Sequence, residues 1–342
     1  MEGTKSLDRN AVTFVSKGIN FVGRTFDNNG IQGKIEKRIF EPNEANTITA
    51  TVIGNYKYVK FQKELYYCSQ NINKLTPKLS RWNQTIAYFI IPSIQMFVSQ
   101  YNGQQSGYTL NDIKNHKIFL PQNESGDIDF DFMETFIAEL KSQHMADLKS
   151  YLSVTGLKNY NLTQEEEIAI KKFNDIIWEQ KKVPDVFVVR NTKSILSRDI
   201  EFNNGNIPYL SASSENNGIT SYISYDENLI EEGNCVFIGG KTFVVSYQEE
   251  DFFSNDSHNL ALYLQDNEHR KKDTQLFLAT CIEKSLQHKY TWGDSISNRK
   301  IQKDNVFLPM SGEIVDFEFM NIFIRAVKKL VIKDVVIWAN KI

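Results

Sequence analysis

The chain says nearly the same thing twice. Ile19-Asn20-Phe21-Val22-Gly23-Arg24-Thr25-Phe26-Asp27-Asn28-Asn29-Gly30-Ile31 returns as Ile207-Pro208-Tyr209-Leu210-Ser211-Ala212-Ser213-Ser214-Glu215-Asn216-Asn217-Gly218-Ile219, an offset of 188 positions. Ile118-Phe119-Leu120-Pro121 returns as Val306-Phe307-Leu308-Pro309 at the same offset of 188. Gln62 with Tyr66-Tyr67 is answered by Gln248 with Phe252-Phe253 at 186. Landmarks that keep one spacing mark a tandem duplication, which constrains the fold more than any local propensity. With 342 residues, each copy has length enough for a domain of its own.

Composition narrows function more than fold. The net charge is −3, so any positive surface that attracts nucleic acid must be local. Cys68, Cys235 and Cys281 are odd in number and form no CxxC pair, which points to free thiols in a reducing compartment. The opening Met-Glu-Gly-Thr-Lys-Ser-Leu-Asp has no apolar core of a secretory signal. The longest apolar stretch, 86–98, carries Pro92 and Gln95 and is too short to span a bilayer. The expectation is a cytoplasmic protein with no membrane contact.

Four segments follow from the patterning. Residues 1–127 hold short β-branched and aromatic runs, with strands expected over 11–15, 49–53 and 56–61. A helix over 82–100 is expected to be interrupted at Pro92, and 101–108 reads as a polar, Gly-rich loop. Residues 110–121 close the domain with a helical turn and a strand. Residues 128–184 are different. Met133, Phe136, Ile137, Leu140, His144, Leu148 and Tyr151-Leu152 recur at helical spacing until Val154-Thr155-Gly156. Thr163-Gln164-Glu165-Glu166 fits a capping box, and Ile170, Phe173, Ile176 and Ile177 give the next helix an apolar stripe that ends by Pro184. Residues 185–314 replay the first domain, with strands over 235–238 and 243–247 joined at Gly239-Gly240. Residues 315–342 form a second long helix through Phe323, Val327, Leu330, Val331 and Val335. Two equivalent helices, each with one apolar stripe, can cover one another as an antiparallel coiled-coil spacer. The alternative is that each packs on its own globule.

The sequence carries little sign of catalytic chemistry. Gly240-Lys241-Thr242 resembles the end of a phosphate-binding loop, but Cys235 stands where that motif needs glycine; a tight hairpin turn explains it as well. His116, His144, His258, His269 and His288 have no partner at metal-ligand spacing. Asp127, Asp129 and Asp131 precede a helix, where carboxylates favour the positive end of the dipole. No catalytic or metal-binding residue is assigned, and binding is favoured over catalysis. The stretch 284–303 sets Lys284, Lys289, Arg299, Lys300 and Lys303 against one acid, Asp294, with His288, Tyr290 and Trp292 interleaved. Such a surface suits phosphates and bases. Gln and Asn suit adenine edges, and Arg or Lys suits guanine.

Two diverged globules, each followed by a long helix, resemble the DNA-specificity subunit of type I restriction–modification systems. Asn206-Ile207-Pro208-Tyr209-Leu210-Ser211 with Asn216-Asn217-Gly218-Ile219, then Gly233-Asn234-Cys235-Val236-Phe237-Ile238-Gly239-Gly240, then 301–309, carry the resemblance. The helices over 128–157 and 315–338 look still more like the separate recognition subunit of type IIB enzymes. The resemblance implies an α/β or α+β fold with two tandem target recognition domains and a helical spacer. It implies a non-catalytic subunit that reads a bipartite site in double-stranded DNA and docks adenine methyltransferase and restriction subunits. S-adenosylmethionine and Mg2+ would then sit on those partners, with no cofactor here. The contact residues expected are Arg24, Asn28, Lys57, Gln104, Gln105 and Tyr108 in the first copy. In the second they are Ser211, Ser213, Lys241, Lys289, Tyr290, Trp292, Arg299 and Lys300. A two-module protein–protein adaptor on a helical spacer is the alternative reading.

Overall fold

The computed structural model describes residues 1–341, apart from the side chain of Gln105. It divides into two units, the first Met1–Leu148 and the second from Lys149 onward.

Besides the two-residue strands Glu2–Gly3 and Ser6–Leu7, the first unit carries β1 (Ile19–Val22), β2 (Ile31–Ile35), β3 (Thr47–Thr51), β4 (Ile53–Gly54), β5 (Val59–Gln62), β6 (Tyr66–Ser69) and β7 (Ile72–Leu75). Glu2–Gly3, β7, β3 and β5 lie in that order in an antiparallel sheet. Ser6–Leu7, β6, β1 and β2 form a second sheet, in which β6 runs parallel to both Ser6–Leu7 and β1, and β1 antiparallel to β2. Helix α1 (Gln84–Ser99) starts at Asn83, whose side chain accepts the Thr85 and Ile86 N–H groups. It buries Ile86, Ile90, Ile94 and Val98 in one core with Ile48, Ala50, Val59 and Phe61 of the antiparallel sheet. The expected break at Pro92 is absent, and α1 runs straight through it. Proline removes one helical hydrogen bond, and the buried stripe on both sides holds the helix together regardless.

Three further expectations change. Residues 101–108 are not all loop: β8 (Gly103–Gly107) pairs with β4 through an irregular register. Residues 11–15 give a 3-10 turn at Arg9–Ala11 and a single bridge from Val15 to Lys34. Residues 117–121 give no strand. After α2 (Leu110–Asn115), helix α3 (Phe130–Val154) opens on Asp129, which accepts the Phe132 N–H at 2.8 Å. Met133 enters the core, and Phe132 and Phe136 meet Phe89 edge to face.

The second unit carries α4 (Gln164–Lys172), β9 (Ile177–Lys182), β10 (Phe187–Asn191), β11 (Ile207–Leu210), β12 (Ile219–Ile223), β13 (Cys235–Ile238), β14 (Val245–Gln248), β15 (Phe253–Ser254), β16 (Leu260–Leu264), α5 (Lys272–Leu286), α6 (Asn298–Ile301), β17 (Asn305–Ser311) and α7 (Phe317–Ala339). β10, β16, β13 and β14 form an antiparallel sheet, and β12, β11 and β15 a mixed one with β11 parallel to β15. β16, β13 and β14 repeat the order β7, β3, β5, and α5 occupies the chain position of α1. The class is α+β, built twice. The Gly239-Gly240 segment is the expected turn, with the Phe243 N–H donating to the Gly239 carbonyl at 2.9 Å.

Residues 176–184 depart from the helical reading. β9 pairs antiparallel with β17, Ile177 facing Met310, so this segment belongs to the second domain's sheets. Its partner strand is far away in sequence, and no local window displays it. The C-terminal helix is partly covered inside its own unit. Phe323 stacks on Phe173 at 4.7 Å, Lys329 Nζ donates to the Glu166 carboxylate at 2.8 Å, and Lys328 pairs with Asp273. Val331 and Trp338 stay exposed.

Candidate nucleic-acid interface

The duplicated stretch folds into one device in both copies. Asn28 and Asn29 take left-handed φ angles of 45° and 55°, and Asn216 and Asn217 take 47° and 53°. Asparagine tolerates that region better than other side-chain-bearing residues, and Gly30 and Gly218 follow at φ 81°. Asn28 Nδ2 donates to the Ile31 carbonyl, as Asn216 Nδ2 donates to Ile219. Asn29 Nδ2 ties the turn to the Phe61 carbonyl at 2.7 Å, as Asn217 Nδ2 does to Tyr247 at 3.0 Å. Gln62 and Gln248 return a hydrogen bond to the Asn29 and Asn217 carbonyls. Asn28 is therefore part of the shared frame rather than a divergent reading group.

Burial leaves other expected contacts little surface of their own. Lys57 is 1% exposed and its ammonium donates to the Gly54 and Tyr101 carbonyls; burial pulls its pKa below the ordinary lysine value. Tyr108 is buried and donates to the Thr51 carbonyl at 2.9 Å. Both hold the β3–α1 core together. Tyr290 is buried against Phe243, and its hydroxyl donates to Asp304. Burial, and then the Asp304 carboxylate, raise the Tyr290 phenol above its usual range. The sequence marks these residues as polar or aromatic within variable stretches, but which side each faces is set by tertiary packing.

Arg24 and Gln104 do come together. With Arg9, Gln32, Asn55 and Ser69 they line an open cleft of about 530 Å³ in the first unit. Arg24 and Gln104 are exposed, and the Gln105 side chain lies outside the described residues. In the second unit a cleft of about 400 Å³ gathers Ser213, Asn217, Thr242, Gln287 and Tyr290. Ser211 accepts the Thr220 hydroxyl at 2.8 Å, and Lys241 pairs with Asp256 at 3.1 Å. Beside that cleft the loop after α5 exposes Trp292 at 80%, with Arg299 exposed on α6. Lys289 Nζ lies 2.9 Å from Asp304, and Lys300 Nζ 2.5 Å from Asp294, so both are partly neutralised. Among the described residues no cluster of three His, Cys, Asp or Glu could hold a metal ion. All three thiols are buried, which pushes each up to about 12 and leaves them unreactive.

Residues 3–150 and 176–335 each match the family described as "Type I restriction modification DNA specificity domain". The chain belongs to this family. It is a specificity subunit of a restriction–modification system, with two tandem copies of the specificity domain. It is 25% identical over 340 residues to the "Type II restriction enzyme BgcI specificity subunit S.BcgI" of Heyndrickxia coagulans, covering 96% of this chain and 91% of that one. The crystal structure of the type I restriction–modification S subunit from M. genitalium superposes with a TM-score of 0.56 at 16% identity, over 100% of this chain and 88% of that one. The adaptor reading is not favoured by these matches. No helix among the described residues of the specificity subunit is long and apolar enough to cross a membrane.

Arg9, Gln32, Asn55 and Ser69 escape a linear reading of the specificity subunit. They come from four separate elements or turns, and none sits in a basic cluster. The signal that could find them is the alignment of the two copies, which shows where one frame carries different side chains.

Proposed function

We propose that this specificity subunit reads a bipartite target in double-stranded DNA, one half with each recognition domain, and performs no chemistry itself. The observation that carries this is one frame built twice, with the Asn-Asn-Gly turn conserved between copies and different polar side chains beside it. A shared frame gives both domains one way of approaching a groove, and the divergent side chains give each its own base preference. In this reading the long helices α3 and α7 supply the spacer between the recognition domains. The 25 residues of α3 span about 37 Å at ~1.5 Å per residue, enough to separate two half-sites. Exposed apolar side chains on these helices, Leu140 and Tyr151 on α3 and Val331 and Trp338 on α7, support docking of adenine methyltransferase and restriction subunits. S-adenosylmethionine and Mg2+ belong to those partners, and the complex works in the cytoplasm.

Selection from random duplex DNA with the assembled complex tests the reading. Two short conserved blocks at a fixed gap are expected. A single contiguous block, or no enrichment, refutes it.

A further inference from the structure

Three residues of the first-domain cleft change character at the matching positions of the second copy, and the difference bears on what each half-site contains. Arg9 belongs to the 3-10 turn Arg9–Ala11, and the matching turn in the second domain is Ser197–Asp199, with Ser197 at the position of Arg9. Arg24 follows β1 just as Ala212 follows β11. Gln32 on β2 corresponds to Thr220 on β12. Two guanidinium groups and a carboxamide are therefore replaced by two hydroxyls and a methyl on an equivalent backbone. In the second copy the Thr242 hydroxyl donates to the Ala212 carbonyl at 2.8 Å, occupying the place beside that methyl.

The first-domain cleft is also chemically incomplete. Ser69 is 6% exposed and lines it, yet its hydroxyl has no hydrogen-bond partner among the described residues. Buried hydroxyls without partners are uncommon. The guanidinium of Arg9 rests on the Phe14 ring at 4.4 Å, whereas Arg24 is exposed with no ion pair or hydrogen bond among the described residues. Gln32 is held against Gly23, where no Cβ would fit. Arg24 is thus the free head group in a cleft whose other walls are Gln32, Asn55 and Gln104.

A phosphate offers acceptors alone, so a phosphate site gains nothing from carboxamide oxygens. Base edges present donors and acceptors side by side, which suits carboxamides around a guanidinium. We infer that the Arg9–Arg24–Gln32–Gln104 cleft reads a guanine-containing base pair in the major groove, with Arg24 donating to guanine O6 and N7. The second domain, with Ser197, Ala212 and Thr220 at the positions of Arg9, Arg24 and Gln32, reads its half-site without this device. This rests on the chain being a DNA-specificity subunit.

The test is base-by-base preference of the assembled complex, from random-DNA selection, for the wild type and for Arg24→Ala, Gln104→Ala and Arg299→Ala. A good bidentate arginine–guanine pair is worth about tenfold or more in discrimination. Arg24→Ala is expected to relax one guanine position by that factor, and Gln104→Ala to relax a neighbouring position in the same block. Arg299→Ala should leave that block unchanged. Arg24 is exposed, so its loss does not threaten folding. Uniform weakening by Arg24→Ala across all sequences, with a shallower salt dependence, would mean a phosphate contact and overturn the inference. An unchanged preference overturns it too, as does relaxation in separate blocks. A wild-type complex that enriches two blocks, neither altered by Arg24→Ala, defeats the inference and leaves the function standing. One that enriches nothing defeats both.

Discussion

Asp304 anchors the loop that presents Trp292, and removing its carboxylate should cost the second unit more than removing either partner. Asp304 is 6% exposed and accepts from the Tyr290 hydroxyl and from Lys289 Nζ, the latter at 2.9 Å. Asp304→Ala leaves the Tyr290 hydroxyl buried and unpaired and deletes a charge-assisted bond, for a loss of about 3 kcal/mol. Lys289 is 43% exposed at its side chain, so Lys289→Ala removes a solvent-screened pair worth about 0.5 kcal/mol. Tyr290→Phe removes one hydrogen bond and keeps the ring against Phe243, at about 1 kcal/mol. For a unit of this size about 2–4 °C of melting temperature accompanies each kcal/mol, which puts Asp304→Ala roughly 6–12 °C below wild type. Thermal unfolding of the full chain, followed by near-UV circular dichroism, ranks the three variants. The ranking Asp304→Ala, Tyr290→Phe, Lys289→Ala is expected. If Lys289→Ala costs as much as Asp304→Ala, or Asp304→Ala melts with wild type, the anchoring argument fails.

Other outcomes follow from the same structure. Arg299→Ala should weaken DNA binding about equally for all sequences and lower the salt slope by about one, read from binding isotherms at several salt concentrations. Asn29→Ala and Asn217→Ala each lose a hydrogen bond and place alanine at positive φ, so each should destabilise its own domain by about 2 kcal/mol in denaturant melts. Glu166 sits under α7, where burial raises its carboxyl but Lys329 and the Thr163 N–H outweigh burial and hold it below its ordinary 4.5. A carboxyl depressed in the folded state stabilises above its unfolded pKa, and that stability is lost as pH falls through the folded one. Stability of the α4–α7 contact should therefore drop below about pH 4.5 in wild type and vary less with acid in Glu166→Gln, measured by denaturant melts across pH.

The duplication is legible in the sequence because a repeated frame repeats its turn chemistry. Asn-Asn-Gly at both places dictates a left-handed turn, and the β-branched and aromatic runs around it dictate strands. The long helices are legible too, since Met133, Phe136, Ile137 and Leu140 declare a helical period. So is the family, from the order of weak motifs. What the sequence does not contain is the identity of distant neighbours. β9 looks like the tail of a helix until β17 pairs with it. Lys57 and Tyr108 look like surface groups until the β3–α1 core closes over them and offers carbonyls in place of water. The cleft of Arg9, Arg24, Gln32, Ser69 and Gln104 is assembled from turns and strands scattered over the first domain, so no local window contains it. Local propensity fixes turns and periods because those depend on neighbours in the chain. Burial and site assembly depend on neighbours in space, and only the packed sheets supply them.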